Sequence, residues 1–487
     1  MPGAMLFESR TEAAVIDSIR RLREEGQRAR EAEMAEYENL YIGTKARNAQ
    51  YLIRHHRERD NKWNERLLRW TNQNYYARFI DAIVDGVYGD PVERGFEESN
   101  EAQDALLTDI LDRNGIDSLQ RLYGVGQVRD GEGWVNVAWR DKRESVALFN
   151  CHAAHVWYQC DPNDPSVITD VVERRIQGRA IGTETRTAAE QRYTYWIAND
   201  EWLWELDDDG HTITPKFPNP YGRIPYVRIM GRRIPGYDDG VSPVRDLVSM
   251  QKRAINRGSD IDTLIRYQAH ALLVTISHDQ PEVETGPVSF LNMPVGGDAK
   301  YIQPNAPIAD VLAVHEHELL EMAEIANVPL DIIRGGDSSS GIHLAMKTRP
   351  YMRLIHALRT EAKVGERDLI RCICAVGRAH GLALPEDPKP RVRFSDNVIP
   401  VDKAEEFRRD YEQVTANPPL MTRREFVKRW NPDIAADEKA IDAYLIALDN
   451  EANARAERDA SMFGGGGSGG GGGFFAGLNG AADNGQS

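Results

Sequence analysis

Between Gly240 and Gly381 the hydrophobic pattern switches from helical to strand-like and back, and that alternation restricts what this chain can fold into. From Ser242-Pro243 onward, Val244, Leu247, Val248, Ala254, Ile255, Ile261, Leu264 and Ile265 recur at three- and four-residue spacing, which predicts a helix. Pro243 stands where a helix start tolerates a missing N–H. From Ala271 the residues become β-type, in LLVTIS, PVSFLNM and AKYIQ, punctuated by Pro281, Gly286, Gly296 and Gly297. A second helix is expected from Ala309 to Asn327, and Pro329 ends it because the residue before a proline is pushed out of helical geometry. After IIRGGDSSSGIHLAMK a long helix is expected from Gly341 to Gly381.

At 487 residues the chain has room for two to four domains and a sizeable core. Its net charge of −16 and pI near 5.3 argue against wrapping nucleic acid on a broad basic surface. They are compatible with a surface that lets a duplex slide past, because phosphate is gripped by cations that release its counterions. The same charge also keeps a soluble protein dispersed. Four cysteines, Cys151, Cys160, Cys372 and Cys374, make no disulfide framework and fit a reducing compartment. The N-terminal MPGAMLFESRTEAAVIDSIRRLREE has no apolar core, so no signal peptide is expected, and no apolar window is long enough for a membrane span. Assembly in a cytoplasm is the expectation.

Residues 8–59 read as helical, and the first run, TEAAVIDSIRRLREEGQRAREAEMAEYENLY, as a surface helix or an arm packed on a neighbour. YYARFIDAIVDGVYG presents an apolar face (Phe79, Ile80, Ile83, Val84, Val87) and stops at Gly89-Asp90-Pro91. Two further helical stretches occupy 100–129. From Gly133, six short strand-like runs and a last one, IPYVRI, predict a mostly antiparallel sheet whose tryptophans (Trp134, Trp139, Trp157, Trp196, Trp202, Trp204) pack in the core and across strands. RVRFSDNVIP is another strand. Three helical segments follow, with a capping box at Thr422 and Glu425, and then a glycine-rich tail that cannot bury enough to fold.

Catalytic patterns are weak. Gly-Lys does not occur, so a Walker-type phosphate loop is absent, and no nucleophile-elbow arrangement stands out. Cys151, His152, His155 and Cys160 alternate along strand-like sequence and read as packing residues. Cys372 and Cys374 point to different faces of a helix. His315-Glu316-His317-Glu318 lacks the HExxH spacing and reads as a solvated acidic helix. Asp207-Asp208-Asp209-Gly210 reads as a hairpin turn. No enzyme activity, metal or cofactor is expected.

Three pieces carry a resemblance: GVSPVRDLVSMQKRAINRGSDIDTLIRYQ, NVPLDIIRGG and DSSSGIHLAMKTRP. In this order and spacing, over roughly residues 30–450, they resemble the portal protein (head-tail connector) of tailed double-stranded DNA bacteriophages, siphophage type. The resemblance implies an α+β portal fold: an N-terminal helical arm (1–60), a wing (61–239) and a stem helix (240–270). A β-rich clip (271–308), a second stem helix (309–334) and a tunnel loop (335–341) follow. A long wing helix with a strand (342–400), a helical crown (401–460) and a disordered tail (461–487) complete it. It further implies a homo-oligomeric ring, a dodecamer, at one capsid vertex of the virion, assembled in the host cytoplasm, conducting double-stranded DNA non-specifically during packaging, retention and ejection. The implied partners are terminase, major capsid protein, scaffold and head-tail adaptor, with no membrane. Twelve chains of −16 repel one another, so divalent or basic partners are expected to moderate the ring.

The resemblance assigns the tunnel loop to Gly335, Gly336, Asp337, Ser338, Ser339, Ser340 and Gly341, whose small residues approach a duplex without reading its bases. Candidate channel or inter-subunit charges are Glu316, Glu318, Glu321 and Glu324 on the second stem helix and Arg245, Lys252, Arg253 and Arg257 on the first, with pairing between subunits preferred over contact with DNA. Two other classes stay open on the sequence: a metal-dependent nucleic-acid-processing enzyme, and a scaffold or adaptor without a channel.

Overall fold

The computed structural model describes residues 27–98, 101–161, 163–176, 193–207, 211–235, 239–269, 272–276, 282–283, 291–292, 298–302, 308–334, 341–395, 403–415, 421–431 and 438–462. The fold is mixed α+β, and the chain divides into two compact units, Met1–Val398 and Ile399–Ser487.

In the first unit the helices begin with α1 (Gln27–Ile42), a single-turn α2 (Lys45–Asn48) and α3 (Asp60–Arg69). The stretch expected to be helical over 8–59 breaks after Ile42. Gly43 takes φ +62°, which a side chain rarely adopts, and the Thr44 side chain accepts from the Arg47 N–H to start a new turn. Residues 8–26 of that expectation lie outside the described residues. Nor is α1 a free arm: Met34, Tyr37 and Leu40 are buried among the chain's own core residues.

α4 (Tyr75–Tyr88), capped by Asn74, buries the apolar face expected of it. It packs with α6 (Ile116–Arg129), which follows α5 (Glu101–Arg113). The expected sheet is two sheets. β2 (Glu132–Arg140) is the centre of one, flanked antiparallel by β3 (Ser145–Cys151) and β9 (Tyr226–Met230). The other is a meander of β4 (Val156–Asp161), β5 (Asp164–Ile176), β6 (Tyr193–Asn199), β7 (Trp202–Asp207) and β8 (Thr212–Pro218). The strand period of two divides β2 between two cores: Trp134 joins the apolar cluster shared with the meander, while Val135 and Val137 join the helical core. Trp134, Trp157 and Trp204 are buried and Trp139, Trp196 and Trp202 half-buried, as packing residues would be.

β1 (Glu93–Phe96) pairs antiparallel with β14 (Pro390–Arg393), almost three hundred residues later. This pairing holds Arg94 against α10 (Gly341–Ala379), where its guanidinium meets Glu366 from two sides, Nε to Oε2 at 2.8 Å and Nη2 to Oε1 at 2.9 Å. Both side chains are buried. Gln120 Oε1 accepts a further bond from Arg94, and the Tyr123 hydroxyl donates to Glu366. Cys372 and Cys374, on the same helix, are buried, and burial pushes both thiols up to about 12.

The turn between β3 and β4 carries His152 and His155, with ring centroids 5.4 Å apart. Burial and the nearby Arg174 push His155 down to about 4; burial also lowers His152, which lies beside Arg129, Asp130 and Glu38. Depressed histidines stay neutral in the fold but take up protons when unfolded, so their contribution is present above about pH 6.5 and is lost as pH falls towards 4. The melting temperature should therefore drop between pH 7 and 5, and His155→Gln should flatten that slope; thermal melts across the range check it.

The second unit holds α11 (Lys403–Thr415), α12 (Arg423–Trp430) and α13 (Glu438–Met462). The capping box forms as expected: the Thr422 hydroxyl oxygen accepts from the Glu425 N–H, and the Glu425 carboxylate accepts from the Thr422 N–H at 3.0 Å. Phe407, Phe426 and Trp430 cluster, and Asp410 accepts from Trp430 Nε1. The glycine-rich tail from 463 lies outside the described residues.

Candidate functional site

The central stretch forms one antiparallel hairpin. α7 (Leu247–Ala269) runs out, β10 (Leu272–Ile276) pairs with β13 (Asp298–Ile302), β11 (Glu282–Val283) pairs with β12 (Leu291–Asn292), and α8 (Ile308–Ala326) runs back, followed by the short α9 (Leu330–Arg334). The strand pairs share one centre, and the helix pairs fall on or near it, Arg253–Glu318 lying furthest off. Leu272↔Ile302 and Glu282↔Asn292 are each symmetric about position 287, and so, in the helices, is Arg253–Glu321. Arg257–Glu318 is symmetric to within one residue. The helix pair and the ribbon are thus nested about one point in the sequence. At 1.5 Å per residue α7 is about 34 Å long.

The start of α7 differs from expectation. Ser242 does not begin the helix; its hydroxyl donates to the Val128 carbonyl and accepts from the Val244 N–H, fixing the approach, and the helix proper starts at Leu247. Three glycines cross there. A Cβ on Gly240 would lie 2.0 Å from the Gly131 carbonyl oxygen, and one on Gly231 2.5 Å from the same atom. Two amides then root the helix. Gln251 accepts from the Tyr76 N–H and donates to the Gln73 carbonyl, while Asn256 accepts from the Ile53 N–H and donates to the Tyr51 carbonyl. Sequence reasoning missed both; the available signal was polar side chains inside an otherwise apolar helical stripe.

Glu318 is the electrostatic centre. Its side chain is only 7% exposed, and one oxygen receives Arg253 at 2.8 Å and Arg257 at 3.0 Å. Arg253 also reaches Glu321 at 3.3 Å. Pairing between subunits was the expectation for these groups; the pairs seen join two helices of one chain. Lys252 pairs with Glu36 of α1, and Arg245 sits exposed beside Asp246. Glu316 and Glu324 are exposed. The helix is not solvated all round, as expected from its acidic run, because His315 and Glu318 lie in its buried stripe with Leu319, Met322, Ala323 and Ala326. His315 Nε2 lies 3.1 Å from the Gln73 side-chain oxygen and 3.4 Å from the Tyr75 hydroxyl. Of the tunnel-loop residues, Gly341 is the first residue of α10; Gly335, Gly336, Asp337, Ser338, Ser339 and Ser340 lie outside the described residues.

Glu318→Gln should loosen the helix pair by about 1.5–3 kcal/mol, the range for a hydrogen bond to a charged group. The double-mutant cycle with Arg257→Gln reads the coupling.

Beside the buried stripe, α8 exposes apolar side chains on two flanks. Leu320 lies on one flank, and Val314 and Ile325, eleven residues apart, share the other; Leu312, near the start of the helix, is exposed as well, and all four are more than 40% exposed.

No family model matches the chain, and no curated protein matches it. Among solved structures it is similar to a chain in the neck of an empty GTA particle computed with C6 symmetry, at 13% identity and TM-score 0.44, over 71% of this chain and 87% of that one. It is likewise similar to a chain in the virion of a native gene transfer agent (GTA) particle, at 12% identity and TM-score 0.41, with the same coverage.

Proposed function

We propose that this chain is a subunit of a portal-type ring, a head-tail structural protein that conducts double-stranded DNA at one vertex of a phage-like particle and has no catalytic role of its own. One observation carries the reading: a helix pair and a β-ribbon nested about one point in the sequence, with apolar flanks left open on both sides of α8. A rod with two apolar flanks satisfies both when copies stand side by side around an axis, and large exposed apolar surfaces mark such contacts. Among the described residues, the sequence motifs that resemble the portal family lie along the approach to α7 and α7 itself, on the short α9 after α8, and at the start of α10. In this reading the ribbon is the clip that meets the motor and later the adaptor, and 335–341 is the loop nearest the DNA.

Negative-stain electron microscopy of the purified chain, with native mass spectrometry for the subunit count, tests it. Rings with a central hole are expected. A protein that stays monomeric at high concentration, or that cleaves plasmid with magnesium, overturns it. Replacing Gly335 and Gly336 with proline should stiffen the loop and lower packaged-DNA yield in a particle assembly assay without reducing ring formation.

A further inference from the structure

The chain's net charge of −16 conceals a local excess of the opposite sign. Residues 45–69 hold eight Lys/Arg (Lys45, Arg47, Arg54, Arg57, Arg59, Lys62, Arg66, Arg69) against Glu58, Asp60 and Glu65, with His55 and His56 besides. Burial separates these cations into two groups. Arg66 is 7% exposed and structural: it bonds the Ile53 carbonyl, pairs with Glu58 and reaches Asp260 of α7. The other seven are exposed.

The three carboxylates of the segment are already engaged. Glu58 pairs with Arg66, Asp60 with Arg54, and Glu65 with Lys62 and Arg69. Glu38 of α1 pairs with Arg47, and Asp260 lies near His55. Arg57 and Arg59 have no ion pair among the described residues, and they follow each other along the exposed turn and extended stretch that leads into α3. The surface is anchored on the body by Leu52 and Trp70, both buried, and by the Asn256 bonds to α7, so the cations stand on fixed backbone.

We propose that residues 45–69 form a sequence-independent binding surface for the phosphate backbone of duplex DNA. Arginine supplies six of the eight cations, and its planar fork matches phosphate oxygens two at a time. Ile53 and Leu68 are exposed singly and make no groove, so an apolar-faced acidic helix has no seat here, and a polyanion needs none. Contacts of this kind position a duplex without reading it. A single chain carries the whole surface, so the inference does not depend on ring formation.

The test is fluorescence anisotropy of a labelled 40-bp duplex with the full-length protein, from 50 to 200 mM KCl. With about four to five phosphates neutralised, affinity should fall by roughly 100- to 500-fold across that range. The triple variant Arg57→Ala, Arg59→Ala, Lys62→Ala should bind at least about tenfold more weakly at 100 mM and lower the log–log salt slope by about 2 to 3. Arg57→Lys with Arg59→Lys should keep most of the binding. Circular dichroism confirms that the variants fold. Absence of duplex binding at 50 mM salt, an unchanged slope in the triple variant, or binding of a polyglutamate peptide in place of the duplex would each overturn the proposal. Duplex binding by a protein that forms no rings would support it while removing the portal reading.

Discussion

Replacing Glu366 with leucine, with Arg94 left in place, is expected to lower the unfolding free energy of the first unit by about 3–5 kcal/mol. The guanidinium would remain buried with its bidentate partner gone, and the Tyr123 hydroxyl would lose its acceptor. The attraction between the two charges does not by itself make the pair stabilising, because removing both from water costs several kcal/mol per ion. The informative variant is therefore the double one. Arg94→Met with Glu366→Leu removes both charges and should recover at least half of the loss, with the remainder set by Gln120 and Tyr123, which keep unmatched polar atoms. Urea unfolding followed by probes in the first unit measures both, since a chain of two units need not unfold in one step. A single-variant loss below about 1 kcal/mol would mean that water or another carboxylate reaches Arg94.

Leu312→Asp with Leu320→Asp should abolish ring assembly while leaving the fold of the chain intact. Both leucines are close to half exposed in the isolated subunit, so their replacement removes little packing there. In a ring, covering the remaining half of each side chain contributes about 1 kcal/mol per leucine at every interface, and an aspartate in that place adds the cost of burying a charge. Closure repeats the loss at each contact. The expected result is a monomer with unchanged melting temperature and no rings in native mass spectrometry. Rings that persist would mean that these α8 leucines face solvent in the assembly and that subunits meet elsewhere.

Much of the fold was legible because it depends on local rules. Apolar spacing marked α4 and α7, Pro329 marked the end of α8, and the hydroxyl-carboxylate spacing of Thr422 and Glu425 marked the start of α12. The candidate site was legible only as a set of charges. Their spacing showed which helix each belonged to but not which way it faced. His315 and Glu318, read as solvated, turned out to lie in the buried stripe, because an acidic helix can hide one carboxylate when two arginines from a neighbouring helix reach it.

What the sequence by itself determined was the order and kind of the elements, because hydrophobic period, caps and proline positions act within a few residues. Only the tertiary structure decided the pairings between distant residues: β1 with β14, Arg94 with Glu366, Glu318 with Arg253 and Arg257, and the division of one expected sheet into two. Those choices rest on which surfaces exclude water together. A short window of residues does not contain that information, since it belongs to the whole packed chain.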